Sequence, residues 1–203
     1  MLNNNFKNLI LNIIGIFYVI LGFASILNTI LRADLGLAPI LWLCYVGVLL
    51  MGIGILTRND LLILSQFNIL AIPLLIWVID FFYIYFFGNS LLGITDYFFI
   101  EGPLIGKIIS SQHLFTIPLI LYTLYLLKIK TRKAHIVSFI EVTLIFLFSR
   151  LFSNFDENIN CVFKPCMNLP YFHYYPLVWF IVLFIMVYFT NYIMINLRFF
   201  NRN

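Results

Sequence analysis

Long apolar stretches, separated by short polar segments, recur along the whole chain. A helix that crosses about 30 Å of hydrocarbon needs about 20 mostly apolar residues. The stretches that meet this description are residues 8–30, 37–56, 61–87, 113–129, 135–152 and 174–197. The alternating segments of about 10 residues that a transmembrane β-barrel needs do not occur in the sequence. The pattern therefore predicts an all-α membrane protein, a bundle of six transmembrane helices in a single integral membrane domain that spans residues 1–203.

The first apolar stretch has the length of a membrane helix rather than that of a signal peptide. Its apolar run from Leu9 to Ile30 exceeds the core of about 7–15 residues that signal peptides contain. The run ends in NTILRAD, which lacks the small residues of a cleavage site. We therefore expect this stretch to be retained as the first helix.

The composition excludes a soluble domain. Of the 203 residues, 63% are hydrophobic and only 10% are charged, whereas soluble domains carry about 25% charged residues. The net charge of +4 is small and scattered along the chain, and no RNA- or DNA-binding pattern is present. We therefore expect membrane lipids as partners and no nucleic acid, while the oligomeric state stays open.

Basic residues are divided unevenly between the two sides of the predicted bundle. With six helices, one side holds Lys7, Arg58, Lys128, Lys130, Arg132, Lys133, Arg198 and Arg202. The other side holds Arg32, Lys107, Arg150 and Lys164. Cytoplasmic loops of membrane proteins are enriched in Lys and Arg. The distribution therefore predicts a multi-pass protein of the cell membrane with both termini in the cytoplasm.

A few polar residues lie inside or at the ends of the predicted spans, close to the outer side. Ionisable groups within membrane spans are costly and mark functional candidates. Asp80 lies about 10 Å below the outer end of the third helix, at 1.5 Å per residue. Gln112 and His113 begin the fourth helix, and Arg150 ends the fifth. We therefore expect Asp80, His113 and Arg150 to share one layer, either as a site or as a polar contact that fastens helices.

Two other sets of residues have simpler interpretations. Ser65, Asn68 and Glu141 lie nearer the cytoplasmic side and are predicted to form a separate polar contact. The glycines of the first two helices are interpreted as close helix contacts, because small residues let backbones approach each other. These glycines are Gly15, Gly22, Gly47, Gly52 and Gly54.

The chain has three cysteines. Cys161 and Cys166, in CVFKPC, lie in an outer loop and are either a disulfide or two free thiols. Cys44, in LWLCYVG, is either a small buried hydrophobe or a nucleophile that His113 activates. Too few His and Cys residues occur at ligand spacing for a metal site, and we predict no cofactor.

The stretches LAIP at 70–73 and HLFTIP at 113–118 resemble a known family. The arrangement is similar to the androgen-induced protein family, six-helix membrane enzymes that hydrolyse branched fatty-acid esters of hydroxy fatty acids. In that family a threonine nucleophile lies early in the second helix, and a histidine opens the fourth helix with proline at the fifth position after it. His113 and Pro118 match the second feature. Cys44 takes the place of the threonine, and a related group of six-helix membrane acyltransferases uses Cys and His.

Three functions are compatible with these residues. In an intramembrane lipid hydrolase or acyltransferase, His113 would be the general base, Asp80 would orient its imidazole and Cys44 would be the nucleophile. The residues that would stabilise developing negative charge there are Gln112, Arg150 and Asn160. In a small transporter, Glu141 would continue a polar path toward the cytoplasm. In a non-catalytic scaffold subunit, the polar groups would only fasten helices.

Overall fold

The computed structural model describes residues 3–32 and 36–201, in which the regular elements are helices. The α-helices are α1 Asn4–Leu31, α2 Leu43–Leu56, α3 Asp60–Phe87, α4 Asp96–Phe99, α5 Leu104–Ser110, α6 Gln112–Leu127, α7 Ala134–Phe152 and α8 Tyr175–Asn196. Two short 3₁₀ turns, Ala38–Leu41 and Ile159–Cys161, lie in the connections. The predicted all-α class is confirmed for these residues.

Five helical segments in the described ranges are long and apolar enough to cross a membrane. They are α1, α3, the combined α5–α6 segment Leu104–Leu127, α7 and α8. The fourth predicted span therefore begins near Leu104 rather than at His113. The second predicted span is divided, because Trp42 has an extended backbone between the 3₁₀ turn and α2. With 14 residues, α2 extends only about 21 Å, so it is shorter than the sequence predicts.

The central helix of the fold is α3, which contacts α2, α6, α7 and α8. Every residue from Ile63 to Leu70 is buried, and a helix that is buried on all sides must be enclosed by other helices. The outer helices instead expose apolar side chains, such as Ile13, Ile20 and Phe23 of α1, each about 60% exposed. Exposed apolar surface of this extent is typical of a membrane protein.

Glycines bring α1 and α2 into close contact. A Cβ atom on Gly52 would lie 2.6 Å from the backbone nitrogen of Val19. A Cβ atom on Gly22 would lie 2.7 Å from the Cβ atom of Leu49. Real Cβ atoms do not approach other atoms so closely, and the Gly52 contact meets backbone that cannot rotate away. The interpretation of these two glycines as close helix contacts is confirmed.

Gly52→Ala is therefore expected to push α1 away from α2. Overpacking of a tight contact costs about 1–3 kcal/mol, which we expect to appear as a lower melting temperature in detergent. The matched control is Gly106→Ala on α5, where an added Cβ meets no atom within 4 Å. Equal melting temperatures for the two variants would contradict this account of the α1–α2 contact.

The two ends of the bundle differ in structure. One end, called the terminal end, carries the start of α1, the α2–α3 and α6–α7 turns and residues 197–201, which follow α8. There the Asp60 carboxylate accepts hydrogen bonds from Lys130 N and Thr131 N, and Ile129 N donates to Phe200 O. The opposite end, called the loop end, carries residues 88–103 and 153–174. Asn168 N of the second segment donates to Leu92 O of the first at 2.8 Å.

Candidate functional site

Asp80 binds the loop that follows α3. Its side chain is fully buried, and its two carboxylate oxygens accept five hydrogen bonds of 2.7–3.1 Å. The donors are Leu91 N, Leu92 N, Ile94 N, Thr95 N and Thr95 Oγ1. A carboxylate with this many donors needs no cation. Contrary to the sequence-based expectation, Asp80 therefore does not pair with Arg150 or orient His113.

Arg150 has different partners at the loop end. Its guanidinium lies 4.4 Å from the ring centroid of Phe163 and donates to Val162 O. The Arg150 side chain is exposed. It stacks on the 153–174 segment through Phe163. The predicted layer of Asp80, His113 and Arg150 is therefore not assembled, because each of the two charged groups is bound to a loop.

Asn160 connects several segments of the loop end. Its side-chain oxygen accepts from Leu43 N, and its amide nitrogen donates to Leu41 O and Ser149 Oγ. The backbone carbonyl oxygen of Asn160 accepts a hydrogen bond from Trp179 Nε1 at 2.9 Å. Both amide hydrogens are thus used, which leaves none for the predicted role of stabilising negative charge on a substrate.

The loop next to Asn160 is closed by a disulfide. Cys161 and Cys166, whose Cα atoms lie 5.5 Å apart, form this bond, which resolves the choice between a disulfide and two free thiols. Asn158 supports the same loop, since its side-chain oxygen accepts from Phe163 N and Lys164 N. The disulfide loop lies against the top of α8, where Trp179 donates to Asn160.

An apolar cavity of about 400 Å³ lies beneath the disulfide loop. One face of α8 forms its wall, through Tyr175, Val178, Trp179, Val182, Leu183 and Met186. The facing wall is α3, from Ile69 to Trp77, and the disulfide and Met167 form the roof. Val178 and Val182 are each 39% exposed, so the cavity opens between helices toward the side of the bundle where lipid would lie.

Cys44 and His113 both line this cavity. Cys44 carries the one free thiol of the chain and is the second residue of α2. His113 is buried, and its ring lies 4.7 Å from the ring of Trp77, which also lines the cavity. The Nδ1 atom of His113 has no hydrogen-bond partner of good geometry, although the Ser110 backbone is close to the imidazole. The thiol and the imidazole of the sequence-based hypothesis therefore line the same cavity, while their catalytic roles stay predictions.

Gln112 lies beside His113 but does not line the cavity. Its amide nitrogen and oxygen are buried, and neither has a hydrogen-bond partner in the described ranges. Tyr97 was not singled out in the sequence, yet it lies in this region because its hydroxyl accepts from Trp77 Nε1 at 3.1 Å. Tyr97 itself is 45% exposed and does not line the cavity.

A second group of polar residues lies deeper in the bundle. Gln66 Nε2 donates to the Glu141 carboxylate, and Ser138 Oγ donates to Ser65 O. Asn68 binds Asn191 of α8 instead, at 3.1 Å. The predicted contact of Ser65, Asn68 and Glu141 is thus distributed over two pairs of helices. Gln66, another polar residue of the third predicted span, and Asn191 complete it. Asn191 could not be identified from the sequence, because hydropathy does not predict which helices pack together.

No cluster of three or more His, Cys, Asp or Glu residues suited to a metal ion occurs in the part of the chain that the structure describes. No family model, curated protein or solved structure matches the chain. The resemblance to the androgen-induced protein family therefore stays a prediction. The class that the fold defines is a helical membrane protein, with five helices of spanning length among the residues that the structure describes.

Proposed function

We propose that this protein is a membrane enzyme that hydrolyses or transfers the acyl chain of a membrane lipid. The observation that carries the proposal is the cavity of about 400 Å³, whose apolar walls include one thiol and one imidazole, Cys44 and His113. Ligand sites have volumes of about 300–1,000 Å³ and mostly apolar walls with a few polar groups. An acyl chain fits such walls, and the exposed Val178 and Val182 leave an entrance from the bilayer.

The reaction uses these two side chains, a lipid ester and a molecule of water or a second alcohol. His113 takes the thiol proton of Cys44, and the thiolate attacks the ester carbonyl. As the C–S bond forms, the C–O bond breaks, and the imidazolium returns the proton to the leaving alcohol. Water, or a second alcohol in a transfer reaction, then attacks the thioester with His113 as base. As the new C–O bond forms, the C–S bond breaks, the acyl product leaves and the imidazolium returns the proton to the Cys44 thiolate.

The proposal includes a topology with six membrane passages and both termini in the cytoplasm of a cell. Support for six passages comes from α2 together with the 3₁₀ turn Ala38–Leu41, which returns the chain from α1 to α3. Support for the orientation comes from the terminal end, where Lys7, Arg58 and Lys128 surround one cavity. Loops rich in Lys and Arg favour the cytoplasmic side.

The depth of the cavity favours a lipid enzyme over a transporter. Along α3 and α8, its deepest lining residues are Ile69 and Met186, both apolar. The Gln66–Glu141 pair does not line the cavity. A transporter would need a polar path past this apolar floor, whereas an acyl chain needs none.

The test measures acylation of Cys44. Purified protein in lipid nanodiscs is incubated with a phospholipid that carries an alkyne-tagged acyl chain, and label that hydroxylamine removes is quantified. Because Cys161 and Cys166 are joined in a disulfide, we expect thioester label on Cys44 alone and its complete loss in Cys44→Ala. Absence of label on the wild-type protein under turnover conditions would contradict the proposal.

A second variant pair tests the cavity separately from the thiol. Val182→Trp is expected to fill the entrance and to reduce labelling at least tenfold. The matched control is Ile181→Trp, because Ile181 is the preceding residue of α8, is 48% exposed and does not line the cavity. Equal labelling of the two tryptophan variants would show that the acyl chain binds elsewhere.

A further inference from the structure

A second cavity, of about 350 Å³, lies at the terminal end of the bundle. Its lining comes from the start of α1, the α2–α3 turn and the α6–α7 turn. The lining residues are Lys7, Asn8, Leu11, Arg58, Asp60, Leu127, Lys128 and Lys130. Four cations therefore surround a space that holds one carboxylate, and this space lies at the other ends of α2 and α6 from Cys44 and His113.

The single carboxylate in this cavity does not neutralise the cations. Oδ2 of Asp60 accepts hydrogen bonds from the backbone nitrogens of Lys130 and Thr131, at 2.7 and 2.8 Å. The ammonium groups of Lys7 and Lys130 have no hydrogen-bond or ion-pair partner within residues 3–32 and 36–201. An excess of positive charge in a formed cavity attracts an anion.

The other two cations are held in place by the fold. Arg58 and Lys128 both have positive φ angles, of 57° and 65°, which are costly for residues with a Cβ atom. Arg58 donates to Asn12 Oδ1 at 2.7 Å, and Lys128 Nζ donates to Phe199 O at 2.8 Å. Since these contacts fix both side chains at the cavity wall, little further ordering is needed when an anion binds.

We propose that this cavity binds the phosphate of an anionic phospholipid headgroup. Phosphate oxygens accept charge-assisted hydrogen bonds from Lys and Arg, and basic cavities between membrane helices on the cytoplasmic side bind anionic headgroups. A lipid is favoured over a soluble phosphate because the cavity lies at the ends of helices of spanning length and has the apolar Leu11 and Leu127 in its lining. The inference is independent of the proposed lipid chemistry at Cys44.

The test compares binding of short-chain phosphatidylglycerol, short-chain phosphatidylcholine and inorganic phosphate to the purified full-length protein in detergent. The phosphocholine headgroup carries a cation that the four basic residues repel. We expect phosphatidylglycerol to bind at least tenfold more tightly than phosphatidylcholine, and to raise the melting temperature because a ligand of the folded state stabilises it.

A matched pair of double variants locates the binding. Lys7→Gln with Lys130→Gln removes the two ammonium groups that have no partner, and we expect at least tenfold weaker phosphatidylglycerol binding. Arg132→Gln with Lys133→Gln removes the same charge near the same turn, at exposed residues that do not line the cavity. We expect less than a twofold change there, and an unchanged melting temperature without lipid for both.

Three outcomes would overturn the inference. Equal weakening by both double variants would show attraction to a charged surface rather than a site. Equal binding of the two phospholipids would remove the preference for anionic headgroups. Inorganic phosphate that displaces phosphatidylglycerol at comparable concentrations would show a site for a soluble phosphate compound instead of a lipid. None of these outcomes bears on acylation of Cys44.

Discussion

Asp80→Asn is expected to lower the melting temperature of the purified protein by about 6–12 °C. An asparagine keeps one acceptor oxygen, so the backbone donors on the other side of the carboxylate would lose their partner. Those donors are either Leu91 and Leu92 or Ile94 and Thr95. Hydrogen bonds to a charged acceptor contribute about 1.5–3 kcal/mol each. A total loss of about 3 kcal/mol in a protein of this size corresponds to the stated shift.

The control for this variant is Asp96→Asn. Asp96 is exposed at the start of α4, and the same change of charge there is expected to shift the melting temperature by less than 2 °C, as surface substitutions change stability by about 0.5 kcal/mol or less. Limited proteolysis provides a second readout, since the released segment 88–95 should be cleaved faster in Asp80→Asn. A melting temperature unchanged from wild type would mean that the five hydrogen bonds to Asp80 do not hold the loop.

His113→Phe is expected to reduce acyl transfer from a phospholipid by 10²–10⁴-fold. A positioned general base contributes a factor of this size, and phenylalanine preserves the ring contact with Trp77 while it removes both nitrogens. We therefore expect an unchanged melting temperature together with the loss of turnover. The measurement is the initial rate of tagged-acyl release in nanodiscs, followed at saturating lipid.

The matched control for His113→Phe is His135→Phe on α7. His135 also has a buried Nδ1 without a hydrogen-bond partner in the described residues and also contacts an aromatic ring, that of Phe139. It does not line the apolar cavity, so its variant should retain full activity. Retained activity in His113→Phe would remove the histidine from the mechanism, and equal losses in both variants would indicate a general effect on folding.

The helices and their apolar faces could be predicted because they depend on local composition. Both boundaries of the third, fifth and sixth predicted spans lie within about one residue of the boundaries of α3, α7 and α8. The second span was overestimated, since hydropathy does not detect a change of backbone direction within an apolar run. That change lies at Trp42, between the 3₁₀ turn and α2.

The partners of the polar residues could not be predicted in the same way. Asp80 binds backbone N–H groups 11 to 15 residues later, and since nearly every residue carries such a donor, the loop has no distinctive sequence. The expectation of a cation for Asp80 assumed that only a charged side chain could satisfy a buried carboxylate. The same limit applies to Asn160, whose amide binds Leu41 and Leu43 more than 115 residues away.

The sequence by itself determined that this is a membrane protein, because too few charged residues are available to cover a water-soluble surface. It also determined the helical class, because the apolar stretches have the length of membrane helices. It also identified Cys44 and His113 as candidate groups, since few reactive side chains occur in the apolar segments. Only the tertiary structure decided that Asp80 and Arg150 bind loops and that the thiol and the imidazole share an apolar cavity. Hydropathy depends on the order of residues, whereas cavities and hydrogen bonds depend on which helix faces meet.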